Sequence, residues 1–208
     1  MRSSYLPGKR KESFRSTAKI VYLFCEGKKT EPNYFNSINR HFRIFLRGKY
    51  RIEIVPNEYT DPVGIVNKAL EKINTIETND KIWCIFDVNS HTEDEIQRAV
   101  AHANNKVKIL LSNPKFELWF LLHYEYTTAY MKGKDLDKRL KKYIENYIKS
   151  GDTFSLMKEN PVSLSQAIEN ARQLNDFHNQ LGTPLISARS NPSTQVFRLF
   201  ELLGISSY

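Results

Sequence analysis

Cysteine is almost absent from this chain. Two residues, Cys25 and Cys84, among 208 are too few for a disulfide framework and lack the paired spacing of a metal site. No apolar run approaches the roughly 18 residues that a membrane-spanning helix needs, so no membrane association of that kind is expected. The opening segment MRSSYLPGKRKESFRSTAK is basic, but no apolar core and small-residue cleavage site follow it, which argues against a secretory signal. No G-x-x-x-x-G-K-[ST] loop occurs, so an ATPase acting with this chain has to be a separate polypeptide. Internal repeats and low-complexity tracts are also missing. These absences point to a cytoplasmic, mostly single-domain protein.

Aromatic residues are plentiful and charge is unevenly spread. Hydrophobic residues make up 40% of the chain, with 12 Phe and 11 Tyr. A chain of this length buries roughly 70% of its unfolded surface, enough for a substantial core. The formal net charge is +8. Residues 1–19 hold six Lys or Arg against Glu12, and residues 40–51 hold Arg40, Arg43, Arg47, Lys49 and Arg51 with no acid. Residues 131–149 hold seven Lys or Arg against Asp135, Asp137 and Glu145. These three stretches carry +14 together, which leaves −6 for the remainder. Basic segments beside an acidic remainder suit a protein that grips a polyanion and also holds a cation. Any single run is equally well a solvated face or a tail; the three together favour nucleic acid.

Residues 1–18, with Pro7-Gly8 and no apolar period, predict a flexible basic arm. Residues 19–25 (KIVYLFC) read as a buried strand that ends at the turn Glu26-Gly27. Thr30 is positioned to cap a helix with Pro32 in its first turn, and Tyr34, Phe35, Ile38 and Phe42 share one face of it. Residues 50–55 form a second strand, and Asp61-Pro62 starts a second helix. Residues 82–86 (IWCIF) form a third strand ending at Asp87, and Thr92 with Glu95 makes a capping box for a helix over 93–104. Residues 107–111 form a fourth strand, closed by Ser112-Asn113-Pro114, with a helix from about Lys115. The alternation predicts an α/β core over 19–124, with a parallel sheet covered by helices on both faces. No comparable strand follows residue 125. Helices over 134–149, 163–180 and 193–203 make up a C-terminal helical extension over 125–208.

Ligands of an open parallel sheet sit beyond the carboxyl ends of its strands. Glu26 and Asp87 occupy two such ends, with Glu31, Asn89, Ser90 and His91 nearby. Hard cations such as Mg²⁺ take oxygen ligands and keep several waters, so carboxylates at strand ends can hold one. An acid at a strand end can also be nothing more than a helix cap. Glu117 either serves the site or meets the dipole of its own helix. His91 either carries a proton or is a solvated loop residue. His123 is expected as a hydrogen-bonded core residue, and Cys25, Cys84, Trp83 and Trp119 as core. Lys28 and Lys29 either meet substrate phosphates or lie in a solvated turn. The helix over 134–149 combines an apolar side with Lys138, Arg139, Lys141 and Lys142. It would show a basic face to a nucleic-acid backbone, or serve as an ordinary amphipathic helix or a partner site.

Three segments resemble a known family. Residues 25–35 (CEGKKTEPNYF), 112–123 (SNPKFELWFLLH) and 191–196 (NPSTQV) are similar, in order, to the E-G-x-x-T-E-x-x-Y-F, S-N-P-x-F-E-x-W-x-L-L-H and N-P-S-T-x-V motifs of RloB-like proteins. The resemblance runs from about residue 18 to 203.

That resemblance implies a TOPRIM-like sheet, with Glu26 as the catalytic glutamate and Asp87 as the first metal-binding aspartate. Asn89 stands where that pattern has a second Asp, so its neutral oxygen would be a weaker ligand, with Glu93, Asp94 or Glu117 as recruits. Glu31 and Glu117 complete the implied catalytic set, and Mg²⁺ or Mn²⁺ is the implied cofactor. Lys28, Lys29, Arg40, Arg43, Lys138, Arg139 and Lys142 are the candidate nucleic-acid contacts. The implied function is a metal-dependent nuclease, on RNA in preference to DNA and conceivably on tRNA. It would act as the toxic effector of an anti-phage system with a separate ABC- or AAA-type ATPase. The alternative is a catalytically idle nucleic-acid-binding or regulatory subunit of such a complex. A topoisomerase- or primase-like activity lacks a nucleophilic tyrosine domain here. A homodimer would double the basic surface, although no residue demands one.

Overall fold

The computed structural model describes residues 18–89, 91–159 and 164–205. The arm expected over residues 1–18 lies outside them apart from Ala18, as does the end of the linker before residue 164. Strands form where β-branched and aromatic residues cluster: β1 (Lys19–Cys25), β2 (Tyr50–Val55), β3 (Lys81–Asp87) and β4 (Lys108–Asn113). These four pair in parallel in the order β2-β1-β3-β4. Between them run α1 (Thr30–His41), the single turn α2 (Arg43–Leu46), α3 (Pro62–Ile73) and α4 (Glu93–Ala103).

The caps of α3 and α4 follow the local sequence. Asp61 accepts from the Gly64 backbone ahead of Pro62, and Thr92 and Glu95 close a reciprocal capping box. Thr30 differs from expectation. It is the first helical residue and not the cap, and its hydroxyl donates to the Lys149 carbonyl at 3.4 Å.

Both faces of the sheet are covered. Along β1, Val21, Leu23 and Cys25 enter one apolar cluster with Phe35 and Ile38 of α1. Tyr22 and Phe24 enter the other, with Ile65 and Val66 of α3 and Ile96 and Ala99 of α4. The period of two along the strand thus feeds two cores, as a doubly covered parallel sheet requires. Cys25 and Cys84 are buried free thiols, and burial pushes the Cys84 thiol up to about 12.

The C-terminal half holds α5 (Glu117–Leu121), α6 (Gly133–Leu140), α7 (Thr153–Glu159), α8 (Leu164–Gln180), β5 (Ser193–Thr194) and α9 (Phe197–Leu203). β5 pairs antiparallel with β4, so the sheet is mixed and five-stranded, not wholly parallel. The expectation of no strand after residue 125 is corrected here, as is the helix start at 193. Two residues carry no periodicity to detect. What fixes them is a hydroxyl pair, Ser112 Oγ to Thr194 Oγ1 at 2.8 Å, and the Asn191 amide donating to Asn113 Oδ1 at 3.0 Å.

The helix expected over 134–149 stops at Leu140. Beyond it, Tyr143 stacks on Tyr124 at 4.8 Å and the Tyr147 hydroxyl donates to Glu117 at 2.8 Å. Those tertiary contacts override an otherwise helical spacing. His123 is buried as expected but not hydrogen-bonded: neither ring nitrogen has a partner among the described residues. Burial lowers its pKa to about 3, which keeps the ring neutral.

The C-terminal elements pack into the same cluster as β1 and α1. Trp119 stacks on Phe200 at 5.2 Å, and its indole N–H donates to the Tyr34 hydroxyl at 2.7 Å. Phe200→Ala should therefore cost about 3–5 kcal/mol in urea unfolding while leaving the transition cooperative. A chain stopped at Ser190 strips β5 and α9 from Trp119, and its urea transition is expected to lose cooperativity altogether.

Candidate active site

Winding reverses between β1 and β3, because β2 lies on one side of β1 and β3 on the other. α1 then leaves β1 toward one face while α4 leaves β3 toward the opposite face. The carboxyl ends of the two strands are left uncovered, the usual ligand position in a doubly wound sheet. A cleft of about 350 Å³ lies there. Glu26 to Glu31 line it from β1 and the start of α1, Asp87 from the end of β3, and Glu117 and Lys149 from the C-terminal half.

Four carboxylates face this space, each held differently. Glu26 Oε2 accepts from the Asp87 backbone N–H at 3.1 Å, and its Oε1 lies 3.1 Å from His91 Nε2. His91 is not a solvated loop residue: its side chain is nearly buried, and the bond to Glu26 raises its pKa. Glu31 folds back over Gly27 so closely that a Cβ at position 27 would displace its carboxylate. The glycine of the E-G-x-x-T-E motif thus leaves room for the second glutamate.

Burial, with added repulsion from Glu117 and Glu26, pushes the Glu31 carboxyl up to about 7 against the pull of its backbone hydrogen bonds. Asp87 is pushed up to about 7 in the same way, by burial first and then by Glu26, Glu31 and Glu117. Glu117 is buried and accepts from the Tyr147 hydroxyl at 2.8 Å. Lys149 Nζ stands 3.8 Å from its Oε1, and Lys115 Nζ stands 3.9 Å from its Oε2 while also binding Asp137.

Of the expected nucleic-acid contacts, Lys28 and Lys29 lie exposed on the rim of this cleft. Arg40 and Arg43 do not. They line a depression of about 830 Å³ beside Ala18 and Tyr50, at the amino ends of β1 and β2, and Arg40 pairs with Asp152 at 2.8 Å. On and just after α6, Arg139 pairs with Glu125 at 2.6 Å, while Lys138 and Lys142 are exposed away from the cleft.

Asn89 is likewise not brought to the carboxylates; its side-chain oxygen faces Gly133 and lines a separate pocket. Glu93 is taken up by Ser187 and the Ala188 backbone, and Asp94 is exposed on α4. Sequence reasoning missed Lys115, Tyr147 and Lys149. Lys115 could have been flagged as the variable residue inside the S-N-P-x-F-E motif. Tyr147 and Lys149 reach the site only through tertiary folding and carry no local signal.

The donor set suits a hard divalent cation. Four carboxylates line one cleft, and burial, with repulsion from the neighbouring acids, raises the proton affinity of two of them, Glu31 and Asp87. No group of three or more His, Cys, Asp or Glu forms a ready metal cage among the described residues. The fit is therefore to an ion that takes one or two carboxylates and keeps its waters, as Mg²⁺ does.

The fold and this cleft define an α/β protein with an acidic centre at the switch point of its sheet. The chain belongs to the RloB-like protein family, whose model matches residues 21–203. Comparison with curated proteins and with solved structures gives no match. No described helix is long and apolar enough to cross a membrane.

Glu31, Asp87 and His91 all bind protons more tightly in the folded chain than in the unfolded one. The native state therefore holds extra protons from the ordinary carboxylate range up to about 7, and stability falls as pH rises through that window. In a chelating buffer the melting temperature is expected to be lower at about pH 8 than at about pH 5.5, with Asp87→Asn flattening the dependence. That comparison isolates Asp87 from His123, whose buried neutral ring acts in the opposite direction below 6.5. A wild-type melting temperature that rises along with that of Asp87→Asn would contradict the assignment.

Proposed function

We propose that this chain is a metal-dependent nuclease, acting on RNA in preference to DNA, and the toxic effector of an anti-phage system with a separate ABC- or AAA-type ATPase. The observation that carries this reading is the convergence of Glu26, Glu31, Asp87 and Glu117 on one cleft rimmed by Lys28, Lys29 and Lys149. The family resemblance supports it by implying a TOPRIM relationship in which Glu26 and Asp87 are the central acids. Glu26 and Asp87 would hold Mg²⁺ or Mn²⁺, with the remaining positions of the ion filled by water, and Glu31 and Glu117 would add negative charge beside it. Such an ion, when bound, polarises a phosphoryl oxygen and stabilises the leaving alkoxide.

The chain's own side chains account for the remainder. Lys28, Lys29 and Lys149 attract and position the phosphate backbone. His91, with Nε2 3.1 Å from Glu26 Oε1, fixes the orientation of that carboxylate and stands where a proton can pass between the two. Tyr147 fixes Glu117 in the same manner from the other wall. One observation favours the second reading, a catalytically idle nucleic-acid-binding or regulatory subunit: Asn89 is turned away from the cleft.

Induction in a bacterial host, with total RNA analysed afterwards, separates the two readings. Wild type should arrest growth and give discrete RNA fragments, while Glu26→Ala and Asp87→Ala should give neither. Purified protein with Mg²⁺ should lose about a hundredfold or more of its cleavage rate in either variant. Toxicity that persists in all three with intact RNA would overturn the nuclease reading. Gly27→Ala provides a separate check. Its new methyl displaces the Glu31 carboxylate, so cleavage should fall as it does in Glu31→Gln while the melting temperature shows that the chain still folds.

A further inference from the structure

Across the end of β3 from the carboxylate cleft lies a second concavity, of about 620 Å³. Two chain segments run from one to the other: Asp87 lines the first while Val88 and Asn89 line the second, and Phe116 and Glu117 line the first while Asn113 and Pro114 line the second. The floor is rigid. Asn191 donates to Asn113 Oδ1 and to the Met131 carbonyl, both at 3.0 Å, and Asn113 donates to the Ala188 carbonyl at 3.0 Å.

The rim is not committed in this way. Tyr130 leaves 72% of its surface exposed. Among the described residues, the Asn89 side-chain amide has no hydrogen-bond partner, and Lys132 and Lys134 have no carboxylate partner. Gly133 leaves room for the Asn89 side chain beside it; a Cβ there would stand 2.9 Å from Asn89 Oδ1.

These rim groups have complementary chemistry. An exposed aromatic ring stacks on the face of any base. A free amide donates and accepts at once, as the edge of a base requires. Ammonium groups without acidic partners neutralise phosphate. The volume falls within the range of small-molecule sites.

We propose that this concavity binds one nucleotide unit, with its base stacked on Tyr130, its edge at Asn89, and its phosphate between Lys132 and Lys134. The inference rests on the nucleic-acid part of the proposed function and deepens it. A strand crossing the sheet edge would seat one nucleotide here and present its neighbouring phosphate to Asp87. Asn89 then reads the substrate from the position where the family resemblance implied a metal ligand.

The test is direct binding in a chelating buffer, where no cleavage occurs. Wild type and Glu26→Gln are titrated with 5′-AMP, GMP, CMP and UMP, with inorganic phosphate and adenosine as controls, by calorimetry and saturation-transfer NMR. The nucleotides are expected to bind both proteins alike and more tightly than phosphate. Tyr130→Ala should weaken them about tenfold, and Tyr130→Phe should not. The Lys132→Ala/Lys134→Ala double variant should abolish the preference for AMP over adenosine. Asn89→Asp should weaken the nucleotides; under a metal-ligand role it would instead leave them unchanged and, in a separate titration without chelator, tighten Mn²⁺.

Phosphate binding as tightly as the nucleotides would reduce the pocket to an anion site and overturn the proposal. So would the absence of nucleotide binding, or binding that is lost in Lys28→Ala but retained in Tyr130→Ala. A wild type that binds nucleotides but never cleaves RNA would sink the nuclease reading and leave this pocket standing.

Discussion

Holding like charges together in a partly dry space is the constraint around which this molecule is arranged. Glu26, Glu31, Asp87 and Glu117 line one cleft, and burial, with repulsion from the other acids, disfavours the ionised forms of Glu31 and Asp87. Each is tied by hydrogen bonds: Glu26 by the Asp87 amide and His91, Asp87 by the Asn89 amide, Glu117 by the Tyr147 hydroxyl, and Glu31 by backbone amides. Two of the four retain protons near neutrality as a result. The sheet provides the frame, since parallel strands buried on both faces leave only their ends for chemistry.

The three motif segments divide the labour unequally. The first one supplies the cleft: Glu26, Gly27 and Glu31 line it, while Tyr34 and Phe35 anchor the same helix in the core. The second and third are mostly architecture. Ser112 and Asn113 meet Thr194 and Asn191 across the mixed edge of the sheet, and Trp119 reaches back to Tyr34. Of the second motif, Phe116 and Glu117 line the cleft and Lys115 backs Glu117. Motif residues are therefore no guide by themselves to which side chains touch a ligand.

What could be read from the sequence follows the same division. The four parallel strands, the starts of α3 and α4 and the position of Glu26 and Asp87 at strand ends were legible, because hydrophobic runs and capping residues are local signals, whereas the cap expected at Thr30 was not formed. β5 was not, because two buried polar residues gain their conformation wholly from a partner strand. The end of the helix at Leu140 was not, because Tyr143 and Tyr147 fit helical spacing yet are drawn off by Tyr124 and Glu117. Arg40 and Arg43 looked like companions of Lys28 and Lys29, but α1 carries them to the far end of the sheet. Charge runs locate an element's composition, not the end of the fold it faces.

The pairing of Ser112 with Thr194 closes a loop of 82 residues. Contacts of such long sequence separation form late, since chain entropy must be lost before they return anything. During synthesis the first four strands and both early acids emerge well before the strand that completes the sheet. A nascent chain thus carries Glu26 and Asp87 without the edge that steadies Asn113 and the turn leading to Glu117. The edge that steadies Asn113 is therefore completed only in a chain translated past Thr194, so the ribosome sets the earliest moment at which the sheet can close.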